Sequence, residues 1–457
     1  MFPGGGRSRK ARRLPPTLRY VGRRIKIARC ALAALPLATW VCACGTGEGA
    51  GGAQPAGDAG SREPDSGPAA APADLFDLHA EVRATCDPDQ LADFSALIAA
   101  RLGELPAWDA GRALFVSDGE PLSPAGSWND WTPADATQPL CGGPLHTLEL
   151  SVVSGFHEYK LVDAGGAWRL DPQNRAFAWD DFAGNPDGRN SVLDTPDSGR
   201  GHLAAGDPVC SDALGGCRAM TAYLPPGYRA DLAGAGYPVL FLHDGQNVFD
   251  DPGCCFGYGG WQVNRTLDDE IAAGTVAPVV VVATDHGGAR RLAEYGGDDA
   301  DAFMEFQVGV VQPAAAARWR IDPARTYTAG SSLGGLIAFR LALAHPEVYA
   351  GAASLSGSFF VEDEDGVSVA EQVAELGRLD LALYLDHGGT ADSGGDNFGP
   401  NRELIAALSG AGWTRGDSPD CANGPGRVCY FHAAGATHDE AAWRARSWRF
   451  LRFLFSP

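Results

Sequence analysis

Three residues in the C-terminal half of this chain have the types and surroundings needed to make and break an acyl bond. Ser332 lies in Gly330-Ser331-Ser332-Leu333-Gly334-Gly335, a G-x-S-x-G pattern. Residues 326–329 before it read as a short strand, and a helix is predicted from Leu336 onward. In that context the pattern is a nucleophile elbow. A sharp strand-to-helix turn exposes the serine hydroxyl, glycines remove Cβ atoms that would clash, and the start of the helix favours developing negative charge. The pattern alone is weak in a chain with 60 glycines, so the flanking strand and helix carry its weight.

A serine hydroxyl needs a base, and the base needs an orienting acid. His438 follows a predicted strand over 428–431 and precedes the last helical segment, where a loop presents it at the carboxyl edge of a sheet. His345, His387 and His432 also lie downstream, but His345 ends a helix and His432 ends a strand. The segment after a predicted strand over 381–385 offers Asp386 and Asp392, and loop position favours Asp392. Two backbone N–H groups must meet the developing oxyanion. Leu333 supplies one directly after the nucleophile. Gln246 supplies the other, from His243-Asp244-Gly245-Gln246-Asn247 behind a predicted strand over 237–242, with Gly245 as the neighbouring alternative. His243 and Asp244 read as polar groups that structure this loop. Such acyl transfer needs no metal and no organic cofactor.

These residues must be positioned by a larger frame. Predicted strands over 237–242, 276–283, 326–329, 352–355, 381–385 and 428–431 alternate with predicted helices over 301–319, 336–344, 402–408 and 440–455. That alternation implies an α/β fold over residues 205–457, a mostly parallel sheet with helices on both faces. Upstream, short strands over 114–116, 145–153 and 157–162 between Gly and Pro turns predict a small β-sandwich over residues 109–197. Leu91, Phe94, Leu97, Ile98 and Leu102 recur at helical spacing, which predicts a helical preface over 75–108.

The chain has 457 residues, 45% hydrophobic and 20% charged, with a formal net charge of −21. This is a soluble globular composition sufficient for two to three domains, and its acidity excludes nucleic acid as the expected partner. Residues 1–29 hold ten Arg or Lys and no acid, followed by an apolar run over 30–41 that is too short to span a membrane. Val41-Cys42-Ala43-Cys44-Gly45 then resembles a bacterial lipobox, which implies removal of residues 1–43 and lipid on Cys44. A Gly, Ala, Pro and Ser linker over 44–74 follows. The expectation is an exported bacterial lipoprotein, periplasmic or at the cell surface, touching membrane only through that anchor. Losing the ten cations takes the formal charge from −21 to −31. Of 11 cysteines, Cys30 and Cys42 would be removed and Cys44 lipidated, leaving an even eight that read as disulfides. Cys210/Cys217 and Cys421/Cys429 are close enough to staple local loops, whereas Cys254 and Cys255 could pair with each other or with distant partners. No C-x-x-C spacing or Cys/His cluster supports a zinc site.

Two resemblances sharpen these readings. G-S-W-N-D-W at 126–131, F-H-E-Y-K-L at 156–161, W-R-L-D-P at 168–172 and R-N-S-V-L at 189–193 resemble the immunoglobulin-like carbohydrate-binding module of glycogen-branching enzymes and the β-subunit of AMP-activated kinase. The resemblance puts Trp131 and Trp168 where tryptophans stack on glucose rings, and Lys160 and Asn190 where side chains hydrogen-bond sugar hydroxyls. Farther on, Y-P-V-L-F-L-H-D-G-Q-N-V-F-D, G-G-W-Q-V-N, R-R-L-A-E-Y, G-S-S-L-G-G-L, A-H-P-E-V-Y, L-S-G-S-F, L-D-H-G-G-T-A-D and H-D-E-A-A-W-R resemble the putative esterase family over 219–455. That family holds enterochelin, feruloyl and acetylxylan esterases and S-formylglutathione hydrolase. The resemblance implies an α/β-hydrolase fold and a serine esterase with its acid at Asp392, the last residue of G-T-x-D, and its histidine at His438. Cys254-Cys255, inserted before Trp261 near the expected cleft, departs from the pattern. The implied substrate is a carbohydrate-linked feruloyl or acetyl ester. A siderophore trilactone is the alternative, and a non-catalytic polysaccharide-binding lipoprotein is the alternative from another class.

Overall fold

Strands that are apolar along their whole length form where both faces of a sheet are covered. Val280–Thr284 and Gly351–Leu355 are buried at every position. They belong to a sheet that runs, in spatial order, Thr414–Asp417, Arg427–His432, Ala382–His387, Gly351–Leu355, Ile321–Ser331, Tyr237–His243, Val280–Thr284, Met220–Leu224 and His202–Ala205. The pairs from Thr414–Asp417 through Val280–Thr284 are parallel, and Met220–Leu224 joins antiparallel. One face packs on Leu336, Ile337, Phe339, Phe303 and Leu404, the other on Leu267, Trp443, Phe450, Leu451 and Leu454. A mostly parallel sheet with helices on both faces and a serine elbow between strand and helix is the α/β-hydrolase fold. The structure is a computed structural model that describes residues 72–457 except 181, 183, 186 and 230–233. The expected signal peptide, Cys44 and the linker up to residue 71 lie outside the described residues.

Two predicted helices prove composite. Residues 301–319 fall in Ala300–Phe306 and Gln312–Arg318, joined by a π-helical turn over Gln307–Val311. Residues 440–455 divide into Glu440–Arg444 and Ser447–Phe455, and the break falls at Arg446, whose side chain enters the candidate site.

The upstream region is a sandwich with an added layer. Arg112–Asp118 lies in a four-stranded sheet with Ala107–Asp109, Leu145–Ser151 and Gln138–Pro139. On one face Leu114 and Val116 meet Leu75, Phe76, Phe94 and Ile98 of the helices Pro72–Thr85 and Pro88–Ala100. On the other, Ala113 and Phe115 meet Tyr159, Leu161 and Leu193 of the second sheet. Because helices cover its outer face, Arg112–Asp118 reads as an unbroken apolar run instead of alternating. That second sheet is continuous with the hydrolase sheet. Leu203 pairs with Tyr223 on one side and Phe177 on the other, so one ladder of strands runs through both regions.

All eight cysteines expected to pair do so, as Cys86–Cys141, Cys210–Cys217, Cys254–Cys255 and Cys421–Cys429. The first ties the helical preface to the sandwich sheet, and the vicinal pair closes on itself.

Candidate active site

Ser332 sits between the strand Ile321–Ser331 and the helix Leu333–Ala344, with φ 56° and ψ −123°. A non-glycine residue there is strained by about 1–3 kcal/mol and persists only where its surroundings fix it. Four bonds fix it. Its N–H donates to Leu355 C=O at 3.0 Å, its C=O accepts from Ser358 N–H at 2.9 Å and from Leu336 N–H at 3.2 Å, and its Oγ lies 3.3 Å from Ser358 Oγ. Gly330 and Gly334 allow the turn to close, since a Cβ on Gly330 would fall on the Gly334 backbone. The N–H groups of the first helical turn, Leu333 among them, have no partners within the helix.

His438 lies in the loop after Arg427–His432, as expected, and its Nδ1–H donates to Asp396 Oδ1 at 2.7 Å. The acid expected at Asp392 is therefore corrected to Asp396. Asp392 is exposed on a small loop that closes outward. Thr390 and Ser393 bond each other's hydroxyls, Gly394 N–H donates to Thr390 C=O, and Gly389 lies so close to the Gly395 backbone that no Cβ would fit. The chain thus returns to the sheet edge four residues later, and Asp396 is buried there at φ 50°.

The remaining oxygen of Asp396 is fully engaged. Oδ2 accepts from Ser356 Oγ at 2.7 Å, from Gly388 N–H and from Arg446 Nη2 at 3.4 Å. Arg446, 3% exposed, also donates to Ser356 Oγ at 2.6 Å and through Nε to Asp386 at 2.9 Å. Asp386, the other carboxylate offered by the sequence, is thus two steps from the histidine and serves as the counter-charge of Arg446. Burial pushes its carboxyl up, against the pull of Arg446 and Tyr384. Trp443 sets its ring edge-on to His438, centroids 5.0 Å apart, and donates Nε1–H to Ser356 Oγ at 3.1 Å.

The loop His243-Asp244-Gly245-Gln246-Asn247 packs directly against the elbow, where a Cβ on Gly334 would come 2.8 Å from Asp244 Oδ2. His243 and Asp244 do structure it. His243 Nε2 bonds Thr328 Oγ1 at 3.0 Å, and Asp244, at φ 62°, accepts both arms of Arg291 at 2.6 and 2.7 Å. Gln246 Oε1 accepts from His286 N–H at 3.2 Å, and Asn247 Nδ2 donates to Glu440 Oε1 at 3.2 Å, tying this loop to the segment beside His438. Asp285, at the end of Val280–Thr284, lies against Gly245. Burial, and after it the Asp244 charge, push its carboxyl up to about 6. The Cys254–Cys255 loop stands between these walls, with Trp261 N–H on Asn247 C=O at 2.9 Å and Arg444 on Tyr258 C=O at 2.9 Å.

On the sandwich, Trp131 and Trp168 are 36% and 40% exposed with ring centroids 6.3 Å apart. Lys160 and Asn190, by contrast, are buried. Lys160 is paired with Asp187 at 2.5 Å, and Asn190 donates to Glu158 at 2.9 Å and Asp180 at 3.3 Å.

Sheet and elbow together define an α/β-hydrolase. The family described as "Putative esterase" matches residues 211–451, and the chain belongs to it. Among curated relatives, the putative esterase NocK of Nocardia uniformis subsp. tsuyamanensis is 44% identical over 59 residues, 13% of this chain and 17% of that protein. The uncharacterized protein YbbA of Bacillus subtilis (strain 168) is 26% identical over 169 residues, 34% of this chain and 62% of that protein. The chain thus spans less than two thirds of either relative. Similar solved structures include a ferulic acid esterase, 18% identical with a TM-score of 0.43 over 56% of this chain and 98% of that one. A ferric enterobactin esterase from Salmonella typhimurium is 18% identical with a TM-score of 0.42 over 75% of this chain and 93% of that one.

Proposed function

We propose that the protein is an exported serine esterase with Ser332 as nucleophile, His438 as general base and Asp396 as the orienting acid. The observation that carries this reading is the bond from His438 Nδ1 to a buried carboxylate, on the same sheet edge as a strained serine. Ser332 Oγ attacks the ester carbonyl as His438 Nε2 takes its proton, and the N–H groups of Leu333 and Gln246 receive the oxyanion. His438 then protonates the departing alcohol, and water, activated the same way, releases the acid. These side chains perform the reaction without a cofactor.

The substrate we favour is an acyl group, feruloyl or acetyl, on a carbohydrate. The acidic chain and the uncompensated Asp285 beside the cleft suit a neutral ester better than an anionic catecholate trilactone. Export with a lipid on Cys44 is supported by the pairing of all eight remaining cysteines, which fits an oxidising compartment. Rates on p-nitrophenyl acetate, methyl ferulate, acetylated xylan and a catecholate trilactone test the choice. Fastest turnover of the trilactone would overturn it, and no turnover of any would favour a non-catalytic polysaccharide-binding lipoprotein.

A second reading concerns the sandwich. Trp131 and Trp168 offer two adjacent exposed aromatic faces, a surface suited to the apolar side of a sugar, while Lys160 and Asn190, the expected polar contacts, are buried and already bonded to Asp187, Glu158 and Asp180. Binding to soluble glucan should be lost in Trp131→Ala while p-nitrophenyl acetate hydrolysis is kept. Binding that survives the substitution would defeat this assignment.

A further inference from the structure

Ser358 has no part in the mechanism above, yet its hydroxyl is the one side-chain group bonded to Ser332 Oγ among the described residues, at 3.3 Å. Ser358 is 3% exposed, and its N–H is spent on Ser332 C=O. Its Oγ meets one other side chain, Asn397 Nδ2, at 3.4 Å. The same Nδ2 lies 2.8 Å from Ser356 C=O. A carbonyl oxygen only accepts, so this contact fixes the nitrogen of the Asn397 amide on that side and makes Asn397 the donor to Ser358 as well. Ser358 Oγ therefore accepts from Asn397, and its own proton is free to be given to Ser332 Oγ.

We propose that Ser358 is a further catalytic residue, a hydroxyl donor to the nucleophile oxygen, and that Asn397 is the positioning residue that sets its direction. The inference rests on Ser332 being the nucleophile. The direction matters because Ser332 Oγ carries one proton. With Ser358 donating, that proton is left for His438 Nε2, and the negative charge that grows on Oγ as it departs is met by a hydrogen bond already aimed at it. Were the bond reversed, the Ser332 proton would point at Ser358 Oγ, away from the His438 Nε2 that must take it. No proton leaves Ser358 in the step. Asn397, at φ 56°, directly follows Asp396 in the chain, so one short segment orients the base through Asp396 and the nucleophile through Asn397.

The test is kcat and KM for p-nitrophenyl acetate in the full chain, together with the rate of Ser332 labelling by a fluorophosphonate. Ser358→Ala should lower kcat and the labelling rate about tenfold with KM unchanged, the worth of one hydrogen bond near 1.4 kcal/mol, and Ser358→Thr should restore part of it. Asn397→Asp, whose carboxylate would draw the Ser358 proton toward itself, should lower kcat further than Ser358→Ala. In the Ser358→Ala background that added loss should disappear, because both act through one hydroxyl; a merely structural Asn397 would give additive losses. Thermal melting of each variant separates folding from chemistry. Wild-type kcat in a folded Ser358→Ala enzyme overturns the inference while leaving the esterase standing. Absence of any labelling of the wild type removes both.

Discussion

The imidazole of His438 and the carboxylate of Asp396 are joined by a 2.7 Å hydrogen bond, and every other donor around that carboxylate holds it still. Ser356, Gly388 and Arg446 all serve Oδ2, which leaves Oδ1 to the histidine. An acid so held keeps Nδ1 protonated and Nε2 available as a base.

Substituting the two aspartates of this loop should separate them. Asp396→Asn should lower kcat by about four orders of magnitude, the cost of presenting the wrong imidazole tautomer. Asp392→Asn, on the exposed loop, should change kcat by less than about twofold, a surface change away from any partner. Steady-state kinetics on p-nitrophenyl acetate checks both.

Arg446 should matter for stability as much as for activity. It is the cation between Asp386 and Asp396, all three buried. Arg446→Met would leave two carboxylates without their counter-charge, a loss of about 3–5 kcal/mol. Urea unfolding should show a lower midpoint at unchanged slope.

Much of this arrangement was legible in the sequence, and the missing part has a physical explanation. The elbow around Ser332, the loop bearing His438 and the alternation of strands and helices are local patterns, and all stand where expected. Asp396 was not legible, because which acid reaches the histidine depends on how the loop between Gly389 and Gly395 closes, a matter of backbone contact that spacing does not encode. A signal was present in Asp396-Asn397 standing before the helix Phe398–Gly410. Arg446 was hidden for a similar reason. The apolar periodicity over 440–455 read as one helix, and only the break at Arg446 turns its guanidinium inward. Continuity of the sandwich and hydrolase sheets hinges on the four residues His202–Ala205, too few to register as a pattern.

Asp285 gives a pH-dependent prediction. Its carboxyl titrates near 6 in the fold against an ordinary 3.8, so the folded state holds the proton more tightly. The stabilisation this brings is complete below the ordinary value and is lost as pH rises through about 6. Asp285→Asn should therefore melt higher than wild type at pH 8, by on the order of 1–2 kcal/mol once solvent screening is allowed for. The advantage should close toward pH 4. Melting curves across that range measure it.

The Cys86–Cys141 bridge closes a segment of 55 residues. Replacing both cysteines by serine should cost about 4 kcal/mol through the entropy returned to the unfolded chain. The effect should appear as early loss of the helical preface in hydrogen exchange, with ester hydrolysis retained at low temperature.

The central claim, that Ser332 attacks the ester, is tested most directly by reacting the full chain with a fluorophosphonate and locating the adduct by peptide mass. One adduct on the peptide containing Ser332, absent in Ser332→Ala, is the predicted result. A chain that takes no label, or whose label survives Ser332→Ala, would contradict it.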